Sequence, residues 1–289
     1  MTTHTQDTVV RASAAREREP APAATARVLR AGWSRAAVEL KGYVRNWQAV
    51  LFTFALPLLL LVVFGALFTG NVGRTGVPLR HVLVCGIIAS GMVATTFMSL
   101  AVGIASDRED GTLKRLAATP LTPAGYVLGK TGQAVVVGLA ETVLLLVIGR
   151  LGYGVALPHT VGRWWTLVWV TVLGVVACSL AGIAFSRLTS SVKAAMPATQ
   201  IPYLILQLIS GVFFVFTSLP GALRLVASLF PLKWMAQGLR SALLPDSFRA
   251  AEATGGWEHG RTALVLGAWC VGGFLLCLLA FRRRPPGLR

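Results

Sequence analysis

The chain has 289 residues, of which 55% are apolar and only 13% charged, with a mean hydropathy of +0.68. A soluble domain carries roughly 25% charged residues, so this composition excludes a soluble enzyme, a disordered regulator and a disulfide-built secreted scaffold. Lys and Arg number 27 against 11 Asp and Glu, a net charge of +16. The basic residues sit between apolar runs, where they orient a membrane protein against anionic headgroups rather than bind nucleic acid.

Residues 1–25 are rich in Ala, Arg, Glu, Pro and Thr without an apolar run, and read as a disordered cytoplasmic tail rather than a signal peptide. In the segment 26–47, Leu29, Trp33, Ala36, Leu40, Val44 and Trp47 recur at spacings of three and four. Arg30, Arg35, Lys41 and Arg45 fall mainly elsewhere. This predicts an amphipathic helix lying in the membrane interface, or else a helix packed on a partner.

Six apolar runs follow, near 49–69, 82–106, 127–149, 164–186, 197–219 and 261–281. Each is long enough to cross a hydrocarbon core of about 30 Å, and unalternating runs in lipid must be helical to pair their backbone groups. Pro57 is expected to kink the first run, and Pro197 and Pro202 to make the fifth irregular. The expected fold is therefore an all-α membrane protein of six spans, its transmembrane domain covering 26–284 and a short tail 285–289. Placing both termini in the cytoplasm puts 18 of the 27 basic residues on that side, with Arg282, Arg283 and Arg284 closing the last helix.

Nucleotide chemistry has one candidate, Gly125 to Thr131. Three residues rather than four separate Gly125 from Gly129, so the backbone cannot wrap a phosphate as a P-loop does. The four histidines show no metal-ligand spacing, and Cys85, Cys178, Cys270 and Cys277 all lie in apolar runs. No catalytic residue, metal ligand or cofactor is expected on this chain.

Polar residues at membrane depth form two helical stripes. One holds Gln200, Tyr203, Gln207 and Ser210; the other holds Thr95, Ser99 and Ser106. Such groups face a cavity or bundle interior, either lining a substrate path or making interhelical hydrogen bonds of about 0.6 kcal/mol each. Glu141 is the one acid within a predicted span. It is either a structural, hydrogen-bonded carboxyl or a cation- or substrate-binding group, and Lys130, three turns away, is too distant to pair with it.

The loop after the second span runs from Asp107 to Pro123. It opens with acids, places Leu113, Leu116 and Ala117 on one face and ends in prolines. Acids before Lys114 and Arg115 suit the dipole of a short amphipathic helix beginning at those acids; the plainer alternative is a solvated connection. Between 220 and 260, helical spacing of Leu223, Val226, Ala227 and Phe230 suggests short helices dipping into the outer leaflet, with an exposed loop as the competing reading.

Arg108, Glu109, Gly111, Thr112, Leu113 and Leu116, followed by Thr119-Pro120-Leu121, resemble the coupling-helix signature of ABC-2 type transporter permeases, closest to the bacterial drug-resistance and natural-product exporters. Phe230 to Arg240 resembles that family's segment before the last helix, with Phe230 standing where some members carry Asn. The resemblance spans about 27–284. It implies a permease subunit in the bacterial plasma (inner) membrane that forms a homodimer and docks two copies of an ATP-binding subunit, on which ATP and Mg would be bound. A drug-like, antibiotic or lipidic substrate would leave the cell. A receptor or assembly protein of the same architecture is the alternative, separated by whether a neighbouring gene encodes an ATPase. The topology has a direct check: a reporter fused after Pro220 is expected outside the cell and one fused after Arg284 inside, and inverted signals would refute it.

Overall fold

The computed structural model describes residues 21–282 except 74, 120 and 214. Of the expected tails, residues 1–20 and 285–289, together with Arg283, Arg284 and Pro120, lie outside the described residues, and residues 21–25, expected to be disordered, open the first helix. Among those described, every regular element is helical apart from one antiparallel bridge between Asn71 and Pro78. Helix α1 (Ala21–Arg45) leads into α2 (Trp47–Leu67), where the Asn46 side chain accepts a hydrogen bond from Ala49 N at 3.2 Å. Helix α3 (Leu79–Val93) continues through a π turn (Ala94–Met98) into α4 (Ser99–Glu109), and the short α5 (Thr112–Ala117) follows.

Helices α6 (Pro123–Tyr153), α7 (Val161–Phe185) and α8 (Val192–Ile209) come next. Each begins at a hydroxyl cap: Thr122, Thr160 and Ser191 accept from the amides of Gly125, Arg163 and Ala194. A cap of this kind satisfies an amide with no partner in the first turn and is worth about 1 kcal/mol. Helices α9 (Gly221–Ser228), α10 (Pro231–Leu243) and α11 (His259–Arg282) complete the chain.

Among the described residues, five stretches are long and apolar enough to cross a membrane: Trp47–Leu67, Leu79–Glu109, Pro123–Tyr153, Val161–Leu188 and His259–Cys277. The fifth expected run is displaced and is not among them. In place of a helix at 197–219, α8 starts five residues earlier, because Ser191 caps it ahead of Pro197, and it ends at Ile209 before Gly211 turns with φ of 72°. Its 18 residues span roughly 27 Å at 1.5 Å per residue.

The long helices run antiparallel and give the bundle two ends. At one end, His81 on α3 donates to the Tyr153 carbonyl closing α6. At the other, α4 reaches the connection between α7 and α8. The two larger of three apolar cores among the described residues follow this division. The larger gathers Val82–Val93 of α3 with Leu145, Cys178, Leu232 and Leu266; the smaller gathers Leu100, Ile104, Tyr126, Val127, Leu180 and Cys277 near α5.

Helix α10 is the least expected element. All thirteen of its residues are buried, against α3, α7 and α11, so the 220–260 segment is folded protein and the exposed-loop reading does not hold. Its charges are paired inside. Arg240 meets Glu252 at 2.6 Å with both side chains no more than 3% exposed, and it also donates to the Gly211 carbonyl at 3.2 Å. Lys233 donates to Gln237 at 2.9 Å and lies 3.6 Å from Glu258. At the rim, a hydrogen bond from the Trp257 indole, with Arg249 and Arg163 beside it, holds the Asp246 carboxyl below its usual range.

Removing one member of a buried ion pair leaves an uncompensated charge and costs about 3–5 kcal/mol, whereas replacing both costs far less. Glu252→Ala is accordingly expected to lower unfolding stability in detergent by that amount, and Arg240→Met with Glu252→Leu to restore most of it. Equal losses in the single and double variants would show that the pair does not anchor α10.

Candidate functional site

The segment from 107 to 121 is helical, though not in the expected arrangement. Asp107, Arg108 and Glu109 form the last turn of α4, and α5 begins only at Thr112 with no acid in its first turn. The acids therefore end one helix rather than start the next. The long apolar run of α3 and α4 carries the helix past them, and Gly111 breaks it. Gly111 has φ of 70°, a left-handed conformation that costs other L-residues roughly 1–2 kcal/mol. Leu113 and Leu116 pack on the smaller core, Thr112 accepts from Arg115 at 3.0 Å, and Lys114 and Arg115 are exposed. α5 is thus the expected short amphipathic helix.

Arg108 and Glu109 turn toward the connection between α7 and α8. Arg108 donates to the Thr189 carbonyl at 2.6 Å and the Ser186 carbonyl at 3.2 Å, while Glu109 accepts from the Val192 amide at 3.0 Å. One cation thus satisfies carbonyls where α7 ends, and one carboxylate satisfies an amide where α8 starts. Each charge has the sign that the helix dipole there favours. The turn between α4 and α5 is fastened to two further helices.

A second junction, missed in the sequence, lies beside it. Lys130 is 5% exposed, 2.8 Å from Asp107 and 2.9 Å from Glu39. Tyr126 donates to Asp107 at 2.8 Å, and Arg35 pairs with Glu39. The guanidinium of Arg35 and the ammonium of Lys130 stand 6.0 and 5.8 Å from the Tyr126 ring centre. Two cations and two carboxylates thereby join α1, α4 and α6. Lys130, in the stretch weighed as a phosphate loop, is committed to protein carboxylates.

This junction fixes how α1 sits. Its inward face is Gly32, Arg35, Ala36 and Glu39, against α6, so Arg35 points into protein. Leu29, Trp33, Val44 and Trp47, most of the expected apolar stripe, remain exposed on the neighbouring face.

The membrane-depth groups separate into two sets. Tyr203 and Gln207 on α8 both meet the Ser90 hydroxyl of α3, at 2.8 and 2.6 Å; this is the interhelical bonding alternative. Ser210 is buried with no partner for its hydroxyl among the described residues. Thr95, Ser99 and Gln200 instead line one cavity of about 560 Å³ between α2, the π turn, α4 and α8, joined by Thr53 and Thr199. Glu141 lies behind this wall, 1% exposed, and accepts a hydrogen bond from Thr95. Ser90, Thr53 and Thr199 had no distinguishing spacing in the sequence, since single hydroxyls in an apolar run carry no pattern.

The family model described as ABC-2 type transporter matches residues 33–244, from the middle of α1 to the end of α10. No curated protein matches the chain.

The four-charge junction has a measurable consequence. Lys130→Met leaves Glu39 and Asp107 buried without their shared cation, a loss of about 3–5 kcal/mol that weakens the contact of α1 with α6. Amide exchange across residues 30–42 is expected to accelerate in Lys130→Met and to stay near the native rate in Lys130→Arg. Native exchange in both variants would show that α1 is held by its apolar contacts alone.

Proposed function

The chain belongs to the ABC-2 type transporter family, and on that premise we propose that it is the permease of an exporter moving a drug-like, antibiotic or lipidic substrate out of the cell. As a family member it is the transmembrane component of an ABC transporter, works with an ABC ATP-binding subunit and is not itself the ATPase. In the proposed assembly two copies of the chain form a homodimer in the bacterial inner membrane, with both termini cytoplasmic. Two ATP-binding subunits supply hydrolysis of ATP with Mg. Helix α1 rests in the cytoplasmic interface with Trp33 and Trp47 at headgroup depth, and α8 serves as the sixth span.

The observation that carries this reading is the fastening of Arg108 and Glu109 to residues 186–192. A push on α5 from a docked partner enters a rigid turn whose hydrogen bonds continue into α7 and α8. The same turn is the end of the helix bearing Thr95 and Ser99. Displacement at the partner's surface therefore reaches the cavity wall through continuous helix, the rigid-body transmission that coupled transport requires. Leu113 and Leu116 seat α5 on the bundle, while Lys114 and Arg115 face outward to the partner.

Glu109→Ala removes the carboxylate that accepts from the Val192 amide at the start of α8, leaving the Ser191 cap and the outward face of α5 in place. Efflux is expected to fall severalfold while the ATP-binding subunit is still retained in pull-down. Gly111→Leu forces the turn out of its left-handed conformation and displaces α5. A docking loss of about 1.4 kcal/mol reduces occupancy tenfold when the partner is limiting, so both retention and efflux are expected to fall. Native efflux and retention in both variants would reduce the segment to a connection without a coupling role.

A further inference from the structure

Glu141 is a carboxylate in the middle of α6, 1% exposed, whose Oε2 accepts from Thr95 and whose Oε1 has no hydrogen-bond partner among the described residues. No cationic side chain forms a salt bridge with it in the described structure. Oε1 packs against the Gly91 backbone, where any side chain would overlap it, with Pro57 bordering the same spot. Structural carboxyls at such depth are held by a matched set of donors; this one has a single donor and a vacant oxygen.

The donor is itself informative. Thr95 lies in the π turn and faces the 560 Å³ cavity, so the hydroxyl on the carboxylate is also part of the cavity wall. A π turn interrupting a long helix is a recurrent mark of functional sites. None of the residues lining the cavity is charged: hydroxyls of Thr53, Ser99 and Thr199 and the amide of Gln200 interrupt an otherwise apolar surface. The volume falls within the roughly 300–1,000 Å³ of small-molecule sites. Apolar walls, a few hydroxyls and one carboxyl without a cationic partner behind a threonine together favour a hydrophobic cation.

We propose that this cavity binds lipophilic monocations, such as amphiphilic amines, with Glu141 as the counter-charge reached through Thr95. The inference rests on the exporter reading for its place in transport, since it names the substrate class that the same cavity admits. Apolar groups of the ligand replace lipid contacts along Phe52, Leu56 and Met98, and the positive centre lies toward Thr95. Once ionised opposite a bound cation, a carboxyl in a low-dielectric wall attracts it far more strongly than the same pair would attract in water. The site therefore discriminates by charge between ligands of equal size and hydrophobicity.

The test uses the full chain in phosphatidylcholine nanodiscs, whose surface is zwitterionic, with tetraphenylphosphonium as cationic probe and triphenylphosphine oxide as neutral counterpart, each corrected for empty discs. Wild type is expected to bind the cation saturably and at least tenfold more tightly than Glu141→Gln, while the two proteins bind the neutral probe alike. Ser99→Trp, placed at the exposed mouth, is expected to weaken both probes. Equal cation binding by wild type and Glu141→Gln overturns the proposal, as does loss of both probes together in that variant. If Glu141→Gln does not insert, equal wild-type affinity for cation and neutral probe is overturning. Pull-down of the ATP-binding subunit is run in parallel. Charge-selective binding without retention of that subunit would refute the exporter reading and leave the cation site standing; retention without charge selectivity would do the reverse.

Discussion

One ammonium holds together three helices that the chain brings in from distant positions. Lys130 of α6 is shared by Glu39 of α1 and Asp107 of α4, with Tyr126 and Arg35 completing the set. Burying these charges is unfavourable for each alone and tolerable only together, so the junction is satisfied in one relative placement of α1, α4 and α6. Apolar packing between membrane helices is comparatively forgiving, because lipid offers each helix similar contacts. The charged junction supplies geometric discrimination that apolar faces lack, at the end of the bundle where α5 protrudes.

The same logic operates at the opposite end with other residues. Arg240 and Glu252 tie α10 to the chain that follows it, and Arg240 also holds the Gly211 carbonyl where α8 has ended. Helix α10, buried along its whole length, is thereby fixed to two elements that apolar contact alone could place in several registers. Between the two ends the bundle is held by hydroxyls and one amide, as in the Ser90, Tyr203 and Gln207 set, whose contributions are individually small.

Much of this was readable from sequence and some was not, for a physical reason. Apolar runs of the right length located the spans because lipid demands continuous helix. Leu113 and Leu116 marked a short amphipathic helix, which is observed, although it starts after Gly111 rather than at the acids. The partners of Arg108 and Glu109 were not readable, since Thr189 and Val192 lie about eighty residues on and pairing across a bundle leaves no periodicity. Lys130 stands out in the sequence as part of a flawed phosphate motif and as too distant to pair with Glu141, because its true partners, Glu39 and Asp107, sit in separate segments. The stripe on α8 was real as a pattern, yet it divided: Gln200 faces the cavity, whereas Tyr203 and Gln207, one and two turns on, face Ser90. Helical spacing gives the angle of a side chain but not which neighbour occupies that angle.

The π turn at Ala94–Met98 has an angular consequence. A π turn holds one residue more than an α turn, and one residue of helix is a rotation of about 100°. The helix before the turn and the helix after it are therefore out of phase by that angle relative to an unbroken rod. Ser90 points to α8 before the offset and Thr95, within the turn, to Glu141, while Arg108 and Glu109 meet residues 186–192 beyond it. Trimming a single residue from the turn would straighten the ladder and swing every side chain from Ser99 to Glu109 around the axis together. The turn is the dial that sets the azimuth of one end of the helix against the other.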